Sequence, residues 1–89
     1  MLTLKIVSKN GSLGPVSCDS VHLNLPDDTL GKGGGSMGIR PGHIKSLISL
    51  ERGEVKAYLE GKEIFSCQTD VGFATVEDDV VTVVTEKVL

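Results

Sequence analysis

Apolar and polar residues alternate along most of this chain. Leu2, Leu4 and Ile6 are separated by Thr3 and Lys5, with Val7 next on the polar side. Val21, Leu23 and Leu25 are separated by His22 and Asn24, and Val55, Ala57 and Leu59 by Lys56 and Tyr58. A period of two puts successive side chains on opposite faces of an extended backbone, so each run predicts a strand with one face buried. Residues 80–84, VVTVV, are β-branched throughout and too short for a helix. Ile44, Leu47, Ile48 and Leu50 stand near helical spacing, but a helix that short is not stable alone, and the segment reads as a turn that becomes a strand.

Turn-forming residues punctuate these runs at Asn10-Gly11, Pro26-Asp27-Asp28, Arg52-Gly53, Glu60-Gly61-Lys62 and Asp78-Asp79. Asn-Gly is the strongest short hairpin signal, because both residues tolerate positive φ. Short strands divided by such turns predict an all-β fold, an antiparallel two-sheet β-sandwich or flattened barrel of about ten strands.

Composition refines this picture. The 89 residues are expected to form one domain, residues 1–89, with no internal repeat or linker. A chain this short buries roughly 60–65% of its unfolded surface, so its stability is modest and a partner subunit would add burial. Tyr58, Phe65 and Phe73 are the only aromatics, which leaves the core to Val, Leu and Ile. A net charge of −3 argues against a general nucleic-acid role. There is no run of 18 apolar residues and no apolar leader at the N-terminus, so a soluble, cytoplasmic chain is expected. Cys18 and Cys67, 49 positions apart, fit no zinc spacing and are expected to pack as small buried residues.

Residues 31–47, GKGGGSMGIRPGHIKSL, stand out by holding six of the eleven glycines. A phosphate-binding loop of the form G-x-x-x-x-G-K-[ST] needs a hydroxyl after its lysine, and Lys32 is followed by Gly33. Read from Gly31, the dinucleotide fingerprint G-x-G-x-x-G fails at Ser36, and no βαβ pattern surrounds it. Gly34-Gly35-Ser36-Met37-Gly38 spells the nucleophile elbow G-x-S-x-G, but that motif needs a strand running into a helix. His22, His43, Cys18 and Cys67 come from four separate places and give no metal-ligand spacing. No catalytic residue, cofactor or metal site is therefore expected.

The charge pattern is more informative. No acid lies between Asp28 and Glu51, whereas Lys32, Arg40 and Lys45 do. The bland reading is a solvated glycine-rich loop. The functional reading is a cationic docking edge, with Met37, Ile39 and Ile44 adding apolar contact.

GSMGIRPGHIKSLISLERGEV, residues 35–55, resembles the signature of the epsilon subunit of F-type ATP synthases (delta in mitochondria). That pattern is G-x-[LM]-G-I-x-P-G-H-x-x-x-[LI]-x-x-L-x-x-G-x-[VIL]. It is met through Gly35, Met37, Gly38, Ile39, Pro41, Gly42, His43, Leu47, Leu50, Gly53 and Val55. A second segment, DVGFATVEDDVVTVVTE, is similar to the family's G-G-F-x-E-V-x-x-N-x-V-T-V-L through Gly72, Phe73, Val76, Val81, Thr82 and Val83. The opening residues 2–28 also resemble the family's first hairpin and following strand, so the likeness runs nearly the whole length in order.

The resemblance implies a non-catalytic rotor subunit of the central stalk, linking the gamma subunit to the membrane c-ring in proton- or sodium-driven ATP synthesis. Ser36, Met37, Gly38, Ile39 and Arg40 would form a loop facing the c-ring. Pro41, Gly42, His43, Ile44, Lys45 and Ser46 would lie at the junction of gamma and ring. The implied location is peripheral, on the cytoplasmic face of a bacterial inner membrane. The departures are Ser36 where the family has an acidic or polar residue, Val71 for a glycine, Thr75 for a glutamate and a glycine-rich TLGKGGG segment. The family's C-terminal helical hairpin, which in some members binds ATP, has no counterpart after Glu86, so a short form is expected. Two other classes compete with this reading: a free-standing β-sandwich module docking its cationic loop on headgroups or an acidic partner, and a small hydrolase built on Ser36.

Overall fold

The structure is a computed structural model that describes residues 1–24, 36–42 and 44–89. Nine strands fill the described residues: β1 (Leu2–Ser8), β2 (Gly11–Cys18), β3 (Ser20–Asn24), β4 (Ser36–Ile39), β5 (Ser46–Leu50), β6 (Gly53–Leu59), β7 (Lys62–Thr69), β8 (Gly72–Glu77) and β9 (Val80–Thr85). They form a five-stranded sheet in the order β2-β1-β9-β8-β5 and a four-stranded sheet in the order β4-β3-β6-β7. The expected two-sheet sandwich is present, with nine strands among the described residues against the about ten expected. One pairing departs from a purely antiparallel pattern: β1 runs parallel to β9, with Thr3 opposite Val80 and Val7 opposite Val84.

The alternating runs become strands for the expected reason. Leu2, Leu4 and Ile6 of β1, Val81 and Val83 of β9, and Ala74 and Val76 of β8 turn inward from the first sheet. Val21 and Leu23 of β3, Ile39 of β4, and Val55 and Ala57 of β6 meet them from the second. Each fully buried Val, Leu or Ile contributes about 1.5–3 kcal/mol relative to exposure. The buried core holds no aromatic side chain, as the composition implied. Residues 46–50 are a strand, with Ile48 and Leu50 inward, not a helix. Cys18 is fully buried and Cys67 half-buried, and both thiols are free. Burial pushes both thiols above the ordinary cysteine range.

Three of the predicted turns close hairpins. Ser8 pairs with Gly11 around Lys9-Asn10, and only Gly11 of the Asn-Gly pair takes positive φ. Glu60-Gly61 joins β6 to β7 and Asp78-Asp79 joins β8 to β9, each with positive φ at both positions. That is the requirement of a type I′ turn, whose twist matches the flanking strands. The predicted turn at Pro26-Asp27-Asp28, the glycines 31–35, Lys32 and His43 lie outside the described residues.

Candidate partner-binding site

Residues 36–47 do not form one exposed loop. Ser36–Ile39 is an edge strand, paired with β3 through Val21 opposite Ile39 and Leu23 opposite Met37. Ile39 is fully buried and Met37 packs partly on the core. This corrects the expectation of a Ser36–Arg40 loop. Pairing with β3 satisfies the backbone and lets two apolar side chains reach the interior, a better use of them than solvent exposure. It also removes Met37 and Ile39 as apolar contacts for a partner. Ser36 opens a strand, and no helix follows it among the described residues, so the nucleophile-elbow context is missing.

Beyond Ile39 the chain comes into solvent. Arg40, Pro41 and Gly42 are exposed, and Gly42 takes a φ of 84° that a side chain would disfavour. The turn is pinned from another element: the Gly42 N–H donates to Asp79 Oδ1 at 2.9 Å. Asp79 sits at the tip of the β8–β9 hairpin, where its carbonyl also accepts from the Thr3 N–H at 2.9 Å. One residue thus ties the exposed turn to two central strands. The sequence showed Asp79 only as a turn former.

The same hairpin changes the charge picture. Lys45 pairs with Glu77 at 3.3 Å, both exposed. The segment without acids therefore faces Glu77 and Asp79 in space, and its cationic character is partly neutralised. The ion pair itself is weak, since exposed pairs contribute about 0–1 kcal/mol.

What remains is apolar. Ile44 is 79% exposed and Leu47 74%, the two most exposed large hydrophobic residues described. Leu47 lies on the outer face of β5 opposite Thr75 of β8, while Ser49 lies opposite Phe73. Phe73 in turn stands opposite Val84 of β9, and Val84 opposite Val7 of β1. Phe73 and Val7 are also exposed. Between β5 and β8 a shallow hollow of about 360 Å³ is lined by Lys45, Leu47, Thr75 and Glu77. Exposed aliphatic groups beside a charged rim have the make-up of a docking surface. No cluster of metal-ligating side chains occurs among the described residues.

The described residues define a small two-sheet β-sandwich domain with an exposed apolar corner. The chain matches the family model of the ATP synthase Delta/Epsilon chain, beta-sandwich domain, over residues 1–89, and it belongs to that family. Among solved structures, one similar chain is in the Euglena gracilis mitochondrial ATP synthase, OSCP/F1/c-ring. It has a TM-score of 0.75 and 22% identity over 99% of this chain and 52% of that one. Another is in the Tetrahymena thermophila mitochondrial ATP synthase central stalk and c-ring, with a TM-score of 0.71, 10% identity, and 99% and 65% coverage. At these identities the likeness is one of fold, and this chain spans between half and two thirds of those chains. No curated protein matches it in sequence.

Proposed function

We propose that the chain is a central-stalk rotor subunit of an F-type ATP synthase. In this reading it links the gamma subunit to the membrane c-ring, supports proton- or sodium-driven ATP synthesis and catalyses nothing itself. Family membership supports this, and the observation that carries it is the exposure of Ile44 and Leu47 beside a turn anchored to the sandwich. Two side chains of that size left in water disfavour an isolated domain, and covering them gives a partner the apolar centre of an interface. The gamma subunit would cover Ile44, Leu47 and the adjoining face of β5 and β8. Arg40, with Ser36 and Gly38 on the adjacent edge strand, would face the ring, and Pro41–Ser46, His43 included, would lie between the two.

Torque passes through such a connector only if its contact surfaces cannot slide past one another. A close-packed aliphatic interior resists that deformation, and the Gly42–Asp79 bond carries the stiffness out to the turn. The subunit would then be peripheral, held through the complex on the cytoplasmic face of a bacterial inner membrane.

Co-purification tests this directly: the tagged chain should bring down a gamma subunit from its own cell. Arg40→Glu should weaken assembly with the ring while circular dichroism of the isolated chain stays unchanged, because Arg40 is exposed. Failure to retain gamma, together with sedimentation on anionic vesicles lacking any ATP synthase subunit, would favour a free-standing membrane-docking module.

A further inference from the structure

The second sheet carries a cleft that shares Arg40 and Pro41 with the edge proposed to face the ring, but whose remaining lining the rotor role does not use. It opens on the outer side of β3 and β6, measures about 440 Å³, and is lined by Asp19, His22, Arg40, Pro41 and Tyr58. That volume is within the range of small-molecule sites, roughly 300–1,000 Å³. The His22 and Tyr58 rings form its floor, their centroids 4.6 Å apart and tilted by 44°. Gly38, opposite His22 on β4, leaves the imidazole uncovered, and a Cβ there would stand 3.7 Å from Nε2.

The charges at the rim have opposite signs and do not meet. Asp19 and Arg40 line the same cleft without forming an ion pair, and Arg40 has no carboxylate within reach among the described residues. Asp19 is held in place because its Oδ2 accepts the Glu60 N–H at 2.8 Å. Its other oxygen accepts no side-chain or backbone hydrogen bond among the described residues. Backbone bonds hold the same corner, with the Asp19 N–H donating to the Tyr58 carbonyl at 2.9 Å. The result is a fixed carboxylate, an exposed guanidinium and two ring faces around one open space.

We propose that this cleft binds a small zwitterion carrying a planar group, of the α-amino acid or short-peptide class. The ammonium lies on Asp19, the carboxylate on Arg40 and the planar group over His22 and Tyr58. An anion alone would be repelled by Asp19 and a cation alone by Arg40, so only the zwitterion uses both rim charges. Binding is weak, in the millimolar range, because exposed ion pairs are screened and the cleft is open.

The test is an NMR titration of the isolated chain with four probes: phenylalanine, phenylacetate, phenethylamine and alanine. Phenylalanine should give saturable shifts at His22 and Tyr58, and the other three should bind at least about twofold more weakly, since each lost exposed contact changes affinity by about two- to fivefold. Arg40→Gln should weaken phenylalanine and phenylacetate but not phenethylamine. Asp19→Asn, whose side-chain oxygen can keep the bond to Glu60, should weaken phenylalanine and phenethylamine but not phenylacetate. Gly38→Ala, which meets His22 at an ordinary contact distance, should keep the fold and weaken every ring-bearing probe. No saturable shift with phenylalanine, or equal affinity for phenylalanine and its singly charged analogues, overturns the proposal. None of these probes involves gamma or the ring, so the rotor reading stands or falls separately.

Discussion

The outer faces of the two sheets are built from strands of the same kind, yet they meet solvent differently. On the five-stranded sheet a row of Ser49, Phe73, Val84 and Val7 crosses four strands, with Leu47 beside it. On the four-stranded sheet the corresponding positions are His22, Lys56 and Ser66, flanked by Glu54, Glu63 and Tyr58. Lys56 reaches Glu54 at 3.9 Å and Glu63 at 3.5 Å. Glu54, then Tyr58 and Glu63, hold its ammonium above the ordinary lysine range. This face is largely charged and ring-bearing, with Lys56 paired to its own acids. The other leaves apolar groups that only a second molecule can cover. Such a division limits association to one face, because a sandwich sticky on both sides would associate without direction.

The contrast can be broken most sharply at two glycines. A Cβ on Gly72 of β8 would run into the Val84 carbonyl and approach the Thr85 Cα at 3.0 Å, all of it backbone of the neighbouring strand. Gly72→Ala should therefore cost about 3 kcal/mol, the upper range for overpacking. A Cβ on Gly53 of β6 would meet only the Asn24 side chain, which can swing aside. Gly53→Ala should cost about 1 kcal/mol, the lower end of the same range. Urea denaturation of both variants measures the difference, and equal losses would contradict it.

The double substitution Ile44→Ser with Leu47→Ser should change the stability of the isolated chain by no more than about 0.5 kcal/mol. It should weaken gamma binding by about 2 kcal/mol, the scale of an interface hot spot. Polar replacement of Ser66 on the other face should leave that affinity unchanged. Surface plasmon resonance against gamma separates the two faces, and unaltered binding by the double variant would remove the apolar face from the interface.

A smaller effect is expected at the hinge between the faces and the exposed turn. Asp79→Ala loses the acceptor for the Gly42 N–H and places alanine at a φ of 61°. About 1–2 kcal/mol should be lost, the sum expected for a hydrogen bond and a left-handed residue. Asp79→Asn should recover most of it, because asparagine keeps an acceptor and tolerates that conformation. Amide exchange at Gly42 should quicken in the alanine variant alone.

The smallest effect concerns acid. Asp70, between β7 and β8, accepts the Val71 N–H at 2.8 Å and lies 3.6 Å from Arg52 Nε. The Val71 bond first, and then the nearby cations, hold its carboxyl below the usual range. A depressed folded pKa means stability that is complete above the unfolded value of about 3.9 and fades as pH falls through the lower folded value. Asp70→Asn should melt slightly below the parent at pH 6, and the gap should close as pH falls through the depressed folded value, below which the carboxyl is protonated in both states. A gap that persists there would mean the carboxylate's charge is not the source.

The chain's own pattern determined the strands, the aliphatic core and three of the hairpins, because period-two burial and turn chemistry are local properties. It also carried the family motifs and marked residues 31–47 as the region of interest, of which 36–42 and 44–47 are described. Which of those residues face water was not local. Ile39 and Met37 lie on the same strand as Gly38 and follow the same alternation as any other run, and only pairing with β3 turns them into the core. The parallel match of β1 with β9 joins residues nearly 80 positions apart, a choice made when the five-stranded sheet assembles and invisible to any short window. The Gly42–Asp79 and Lys45–Glu77 contacts likewise arise where the connection from β4 to β5 meets the distant β8–β9 hairpin. Tertiary structure therefore decided what the sequence could only nominate: a segment that reads as a basic loop is a half-buried edge strand, an acid-pinned turn and two uncovered aliphatic side chains.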